Sequence, residues 1–123
     1  MAALSNTEIG SIVYGMIEGI SVAVSGVLTS LVNQSVYTAE NYTGNDISVD
    51  AIADTYQPAV VNLTISQVLG QMEAQGLGTK SVKIGELSIT KGMQEGTSNS
   101  FRDLGMSQLN SLGKGMSFYQ TYT

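Results

Sequence analysis

Hydrophobic positions recur at helical spacing near the start of the chain. Ser5-Asn6-Thr7-Glu8 has the spacing of a capping box, in which a serine hydroxyl and a glutamate carboxylate each accept a hydrogen bond from a backbone amide. Apolar residues follow at intervals of three and four, which predicts a helix with one buried stripe. The residues of this stripe are Ile9, Ile12, Val13, Met16, Ile17 and Ile20.

Two more helices are predicted before residue 77. One runs from about Val24 to the glycine of Thr43-Gly44-Asn45, because glycine suits the left-handed position after a helix. The next begins near Pro58, the sole proline, since the missing amide of a proline costs nothing in the first turn. Gly76 ends this predicted helix, whose apolar stripe consists of Val60, Val61, Leu63, Thr64, Val68, Leu69 and Met72. The first three helices therefore form the predicted body of the protein.

The hydrophobic period then changes from helical to alternating. A two-residue turn at Gly85-Glu86 pairs Ile84 with Leu87 and Val82 with Ile89, which places all four side chains on one face. Glycine at the first turn position is what a type II′ hairpin requires. Because an isolated hairpin is marginally stable in water, we expect these four residues to contact a helix or another subunit.

The last part of the chain is predicted to form a helix followed by a nearly uncharged, aromatic C-terminal tail. Serine caps and a closing Gly113 bound a helix whose periodic residues are Phe101, Leu104, Gln108, Leu109 and Leu112. The tail contains no acid or base after Lys114, whereas disordered termini are usually polar. It is predicted to dock on a partner as an extended arm, and the alternative is that Phe118 and Tyr122 cover the protein's own core. The residues predicted to dock are Met116, Phe118, Tyr119 and Tyr122.

These elements together predict a single domain over residues 1–123. Its fold class is mainly α, a small helical bundle with one β-hairpin and an extended C-terminal arm. The predicted parts are a helical body over 5–76, a hairpin over 81–90, a flexible Gly- and Ser-rich loop over 91–99, a C-terminal helix over 100–112 and a docking arm over 113–123.

Composition narrows the range of functions. The chain of 123 residues contains no His and no Cys, which excludes thiolate or imidazole zinc sites, a Cys nucleophile and a His-based triad. No stretch brings an acid, a base and a nucleophile together, so the sequence predicts no enzyme, no cofactor and no metal. The net charge of −5 argues against binding to duplex nucleic acid. Only 12% of residues are charged, which is typical of a surface used for subunit contacts or lipid.

The apolar stretch over residues 9–32 has two interpretations. Its length would allow it to span a bilayer or lie on one, which would make the protein a small membrane-associated protein. However, Glu18 would sit near the middle of the span, at a cost of about 2.5–3.5 kcal/mol, and no Lys or Arg flanks the stretch. Helices packed against neighbours on several sides are the favoured interpretation, and no membrane is expected.

Three segments carry a resemblance to a known family. They are the helix end Tyr37-Thr38-Ala39-Glu40-Asn41-Tyr42-Thr43-Gly44, the helix opening Tyr56-Gln57-Pro58-Ala59-Val60-Val61-Asn62-Leu63-Thr64, and the hairpin Val82–Ile89. With the final helix and the tail, their order resembles the head–tail adaptor (connector) proteins of long-tailed bacteriophages. The resemblance covers the chain from about Leu28 onward, and the stretch Ile9–Gly26 departs from the family by being more apolar and richer in glycine.

The resemblance implies a structural virion protein made in the host cytoplasm and located at the head–tail junction. It implies a ring, twelvefold in the family, that joins the portal protein to the neck or tail and continues the DNA channel. Genomic DNA would pass through this channel without sequence-specific binding, and acidic residues facing it would repel phosphates. The C-terminal segment reaches the portal in the family. A different neck component, such as a stopper, is the nearest alternative.

Overall fold

A computed structural model of the chain describes residues 3–18, 22–74, 82–84, 87–89 and 94–122, and it describes side chains over 3–17, 24–72 and 97–111. The fold is mainly helical, as the sequence predicts. In chain order the elements are α1 (Asn6–Met16), β1 (Ile17–Glu18), α2 (Val22–Ser25), α3 (Leu28–Thr43), α4 (Gln57–Ala74), β2 (Val82–Ile84), β3 (Leu87–Ile89) and α5 (Gln94–Tyr122).

Local signals in the sequence set the start of α1, the end of α3 and the start of α4. The Ser5 side chain accepts a hydrogen bond from the Glu8 amide at 3.2 Å, and the Glu8 carboxylate accepts one from the Ser5 amide at 2.8 Å. The predicted capping box is therefore confirmed. Gly44 follows α3 with φ of 75°, in the left-handed region that favours glycine. Pro58 is the second residue of α4, where its missing amide leaves no hydrogen bond unmade.

Helix α4 lies at the centre of the fold, because α1, α3 and α5 all pack against it. Its buried residues point in several directions around the helix axis, which explains why it has no single apolar stripe. They include polar residues that lie between helices. The buried residues of α4 are Gln57, Ala59, Val60, Leu63, Thr64, Ile65, Ser66, Val68, Leu69 and Met72.

The apolar stretch over 9–32 is divided among several short elements. Helix α1 ends at Met16, β1 and α2 follow, and α3 begins at Leu28. Most of its described apolar side chains belong to the core. These core residues are Ile9, Val13, Ile17, Val24, Leu28, Leu31 and Val32.

The prediction that Ile12 and Met16 share the buried stripe of the first helix is wrong. Ile12 is 41% exposed and Met16 is 39% exposed. The buried positions of α1 are Ile9, Gly10 and Val13, and successive residues of a helix are 100° apart around its axis. The core contacts only this narrow band, so Ile12 and Met16 lie outside it.

The strands form one small sheet in the order β1–β2–β3, with both pairs antiparallel. In the backbone, Val82 pairs with Ile89 and Ile84 pairs with Leu87. Residues 85 and 86 and the strand side chains lie outside the described residues. The predicted hairpin over 81–90, with its type II′ turn and the shared face of its four apolar side chains, is therefore not confirmed and stays a prediction. Ile17 of β1 pairs with Ile84, which joins the strands to the N-terminal part of the chain.

Helix α5 differs from the sequence prediction at both ends. It begins at Gln94, so residues 94–99 of the predicted flexible loop are helical, and residues 91–93 lie outside the described part. It continues past Gly113 to Tyr122, so an extended C-terminal arm is not confirmed. A glycine lowers helix propensity by about 1 kcal/mol but does not end a helix unless it adopts a left-handed conformation, and no proline follows to forbid continuation.

Helix α5 lies very close to α4 at Gly105. A β-carbon added at Gly105 would lie 2.8 Å from Cγ of Leu63 and 3.1 Å from the backbone oxygen of Ala59. The two helices can therefore approach each other only because residue 105 has no side chain. The predicted stripe of this helix is partly wrong, since Leu104 is 49% exposed while Leu109 is fully buried.

Candidate docking surfaces

The residues predicted to dock on partners lie in β2, in β3 and in the C-terminal part of α5, where side chains are outside the described part. Met116, Phe118, Tyr119 and Tyr122 belong to the C-terminal part of α5. Val82, Ile84, Leu87 and Ile89 belong to β2 and β3. Along the chain, the strands precede α5 and the aromatic residues lie in its last turns.

The described surface contains a second set of apolar side chains that sequence reasoning missed as contact residues. Seven large apolar side chains among the described residues are at least 39% exposed, on a small protein in which 12% of residues are charged. A helical wheel of α1 would have found Tyr14, which lies off the band occupied by Ile9 and Val13. The exposed set is Ile12, Tyr14, Met16, Val27, Tyr37, Tyr42 and Leu104.

The exposed face of α1 borders an open groove, which we name the α1 groove. Its volume is about 320 Å³. Tyr14, 56% exposed, forms one wall, and the start of α3 forms the other. All of the described lining residues are uncharged. They are Thr7, Gly10, Ser11, Tyr14, Ser25, Leu28 and Thr29.

A second groove of about 380 Å³ lies along the first turns of α5. It is lined by Thr97, Ser100, Phe101 and Leu104, and Leu104 is half exposed. It shares no residue with the α1 groove. The two grooves are therefore separate, one between α1, α2 and α3 and the other along α5, and their described lining residues are uncharged.

The helices between these surfaces are joined by hydrogen bonds between uncharged side chains. Asn6 Nδ2 donates to Asn33 Oδ1 at 2.8 Å, which links α1 to α3. Asn62 Nδ2 donates to Gln108 Oε1 at 2.8 Å, which links α4 to α5. Tyr42 Oη donates to Asn110 Oδ1 at 2.8 Å, which links the end of α3 to α5. Hydrogen bonds of this kind fix the relative positions of helices without charges that salt would screen.

The most deeply buried of these contacts joins α3 to α4. Ser35 Oγ donates to the Leu31 carbonyl at 3.1 Å and accepts from Gln67 Nε2 at 3.2 Å. Thr64 Oγ1 lies 3.0 Å from Ser35 Oγ and 2.7 Å from the Val60 carbonyl, so its single proton serves one of these acceptors at a time. Ser35 and Thr64 are both fully buried.

Replacing Ser35 with alanine should destabilise the protein by about 1–3 kcal/mol, because the partly buried Gln67 amide loses its acceptor and the buried Thr64 hydroxyl keeps only the Val60 carbonyl. Thr38 is the matched control, since its hydroxyl likewise donates to a carbonyl four residues earlier but lies at the surface. Thr38→Ala should change the free energy of unfolding by no more than about 0.5 kcal/mol. Urea denaturation measures both variants, and equal effects would contradict the role assigned to the buried contact.

Acidic and basic residues are distributed unevenly along the chain. All five Lys and Arg residues lie after residue 79, and the first 79 residues contain seven acids. Among these acids, Asp46, Asp50 and Asp54 are exposed in the segment between α3 and α4. The Glu40 carboxylate accepts a hydrogen bond from the Ile47 amide at 2.8 Å, which holds the start of that segment against α3.

The described residues contain neither a group of side chains that could bind a metal ion nor a helix that could cross a membrane. No three of their Asp and Glu side chains are grouped so that they could hold a metal ion. None of the described helices combines the length and the hydropathy needed to cross a membrane. Scans against protein-family models, curated proteins and solved structures find no match to the chain.

Proposed function

We propose that the protein is a head–tail adaptor, a structural subunit of a ring that joins the portal of a long-tailed bacteriophage to the neck or tail. The observation that carries the proposal is the exposed apolar surface on a mainly helical body of low charge. Among the residues whose side chains the structure describes, seven large apolar ones are between 39% and 57% exposed. A subunit that buries such residues against neighbours gains about 25 cal/mol for each Å² of apolar surface removed from water.

The order of the elements supports the adaptor class over other assembly proteins. Helices α3 and α4 are followed by the strands and then by α5, which is the order of parts that the resemblance implies. Stopper and tube subunits are typically richer in strands, whereas β2 and β3 contain three residues each. The proposed partners are further copies of the chain in a twelvefold ring, the portal protein and a neck or tail protein.

Charge supports the passage of DNA through such a ring. The exposed Asp46, Asp50 and Asp54 lie in a part of the chain that contains no Lys or Arg. Acids that face a channel repel phosphates, so DNA would pass without binding. The proposed location is the neck of the virion, after synthesis in the host cytoplasm. Its proposed role is structural, without catalysis.

The proposal is tested by locating the protein in purified virions. Mass spectrometry of virions should detect about twelve copies of the chain for each portal ring, as one twelvefold ring requires, and far fewer copies than of the capsid protein. Immunogold labelling with an antibody against the folded body should mark the junction of head and tail. Absence of the chain from virions, or label along the whole tail or capsid, would overturn the adaptor proposal.

A further inference from the structure

The α1 groove and the C-terminal segment of α5 match each other chemically. Helix α1 contains one charged residue, Glu8, and the groove itself is lined by uncharged residues with Tyr14 exposed at its wall. Residues 113–123 contain one charge, that of Lys114, and three aromatic residues. The two charges are opposite in sign, and the rest of each partner is uncharged. A surface and a segment of this kind can associate without burying an unpaired charge.

The directions of the helices show which copy of the segment can reach a given groove. Ser98 of α5 contacts Ser66 of α4, and Gln108 contacts Asn62, so α5 runs antiparallel to α4. Helix α3 is also antiparallel to α4, because Ser35 contacts Thr64 and Gln67 in the middle of α4, while Asn45, just after α3, donates to Tyr56 Oη, just before α4. Helices α3 and α5 are therefore parallel.

The C-terminal segment leaves the body at the end of α3 that is far from the α1 groove. Asn110 contacts Tyr42 in the last turn of α3, whereas Leu28 and Thr29 in the first turn line the groove. These two turns are about 20 Å apart along the helix axis. Helix α5 continues for twelve residues beyond Asn110, or about 18 Å, in the direction away from the groove of its own chain.

We propose that residues 113–123 of one copy bind in the α1 groove of a second copy. The contact joins two different surfaces, so it is heterologous, and repetition of it generates a closed ring or an open filament. The inference rests on the self-association that is part of the proposed function, and it names the partner of the C-terminal segment as another copy instead of the portal. Glu8 lies exposed on α1 outside the groove lining, and its charge is opposite to that of Lys114, which favours this pairing over contact between two identical grooves.

Disulfide trapping tests the inference, because the chain contains no native Cys. One copy carries Ser11→Cys in the groove and a differently tagged copy carries Ser117→Cys in the segment. Mixing the two full-length variants under mild oxidation should give a disulfide between copies. The control replaces Ser11→Cys with Ser107→Cys, an exposed serine on α5 that lies outside both grooves. We expect the Ser11 pair to form at least about ten times more cross-linked dimer than the control pair.

A second variant tests the groove without new cysteines. Ser11→Arg fills the groove with a large charged side chain at an exposed position of α1, so it leaves the core intact. It should weaken self-association by about tenfold or more, measured by sedimentation over a concentration series. Normal self-association of Ser11→Arg would overturn the inference.

The outcomes separate this inference from the proposed function. If the wild-type protein forms oligomers but the Ser11 pair cross-links no more than the control, the groove is not the partner of the segment, and the adaptor proposal stands. A Ser117→Cys variant that cross-links to an added portal carrying surface cysteines, and not to Ser11→Cys, would likewise overturn the inference. A wild-type chain that stays monomeric at every concentration and with portal would overturn both.

Discussion

Replacing Gly105 with alanine should destabilise the protein by about 1–3 kcal/mol, the cost of forcing an extra methyl group into a packed interface. The new β-carbon would lie 2.8 Å from Leu63 Cγ, which is a branch point and not the free end of a side chain. It would also lie 3.1 Å from the backbone oxygen of Ala59, which cannot rotate away. Helix α5 would have to move off α4, and this movement would uncover Leu109.

Gly70→Ala is the matched control for this prediction. Gly70 is an exposed residue inside α4, and a β-carbon there would lie 3.9 Å from Ser98 Oγ, an ordinary contact. Alanine should stabilise the helix at this position by about 0.8–1 kcal/mol, because it has the higher helix propensity. Chemical denaturation of both variants should therefore give changes of opposite sign. A neutral or stabilising Gly105→Ala would contradict the close approach of α5 to α4.

Deleting residues 113–123 should abolish self-association while leaving the body folded. The described core ends at Leu109, so the deletion removes none of the described core residues. Far-ultraviolet circular dichroism should show a loss no larger than the helical residues removed, with a cooperative unfolding transition retained. Sedimentation or light scattering should show a monomer at concentrations where the full-length chain forms oligomers.

A variant of unchanged length tests whether the aromatic side chains of the C-terminal segment are needed for assembly. Phe118→Ser combined with Tyr122→Ser removes aromatic surface, and burial of each aromatic side chain is worth about 1.5–3 kcal/mol. This double variant should weaken assembly at least tenfold. If the truncated chain still assembles like the full-length one, residues 113–123 have no docking role.

The parts of the fold that the sequence predicted well depend on local interactions. The capping box of Ser5 and Glu8, the left-handed Gly44 and the first-turn Pro58 each satisfy or spare hydrogen bonds within a few residues. Such interactions are the same in a short segment and in the folded chain. The start of α1, the end of α3 and the start of α4 could therefore be placed from the sequence alone, whereas the start of α3, predicted near Val24, lies at Leu28.

The parts that the sequence predicted poorly depend on neighbours in space. The burial of Leu109 and exposure of Leu104 follow from the side of α5 that meets α4, and the contact at Gly105 fixes that side. Periodicity shows which residues could share a face but not how wide the covered band is. For the same reason, the continuation of α5 beyond Gly113 could not be predicted from a glycine that has no fixed conformation.

Of the candidate surfaces, one could be recognised from the sequence and the other only from the fold. The aromatic residues after Gly115 could be singled out because an uncharged terminus is unusual in composition. The α1 groove could not, because its walls come from α1, α2 and α3, which approach one another only in the folded chain. Polar side chains such as Ser11 and Thr29 carry no signal in the sequence that they line a groove.

The mass of the full-length protein in detergent-free buffer, alone and mixed with purified portal from the same virus, tests the adaptor proposal most directly. Light scattering coupled to size-exclusion chromatography should show a protein that remains in solution without detergent and that co-migrates with the portal as a ring. A protein recovered only with membranes, or one that elutes apart from the portal at every ratio, would contradict the account.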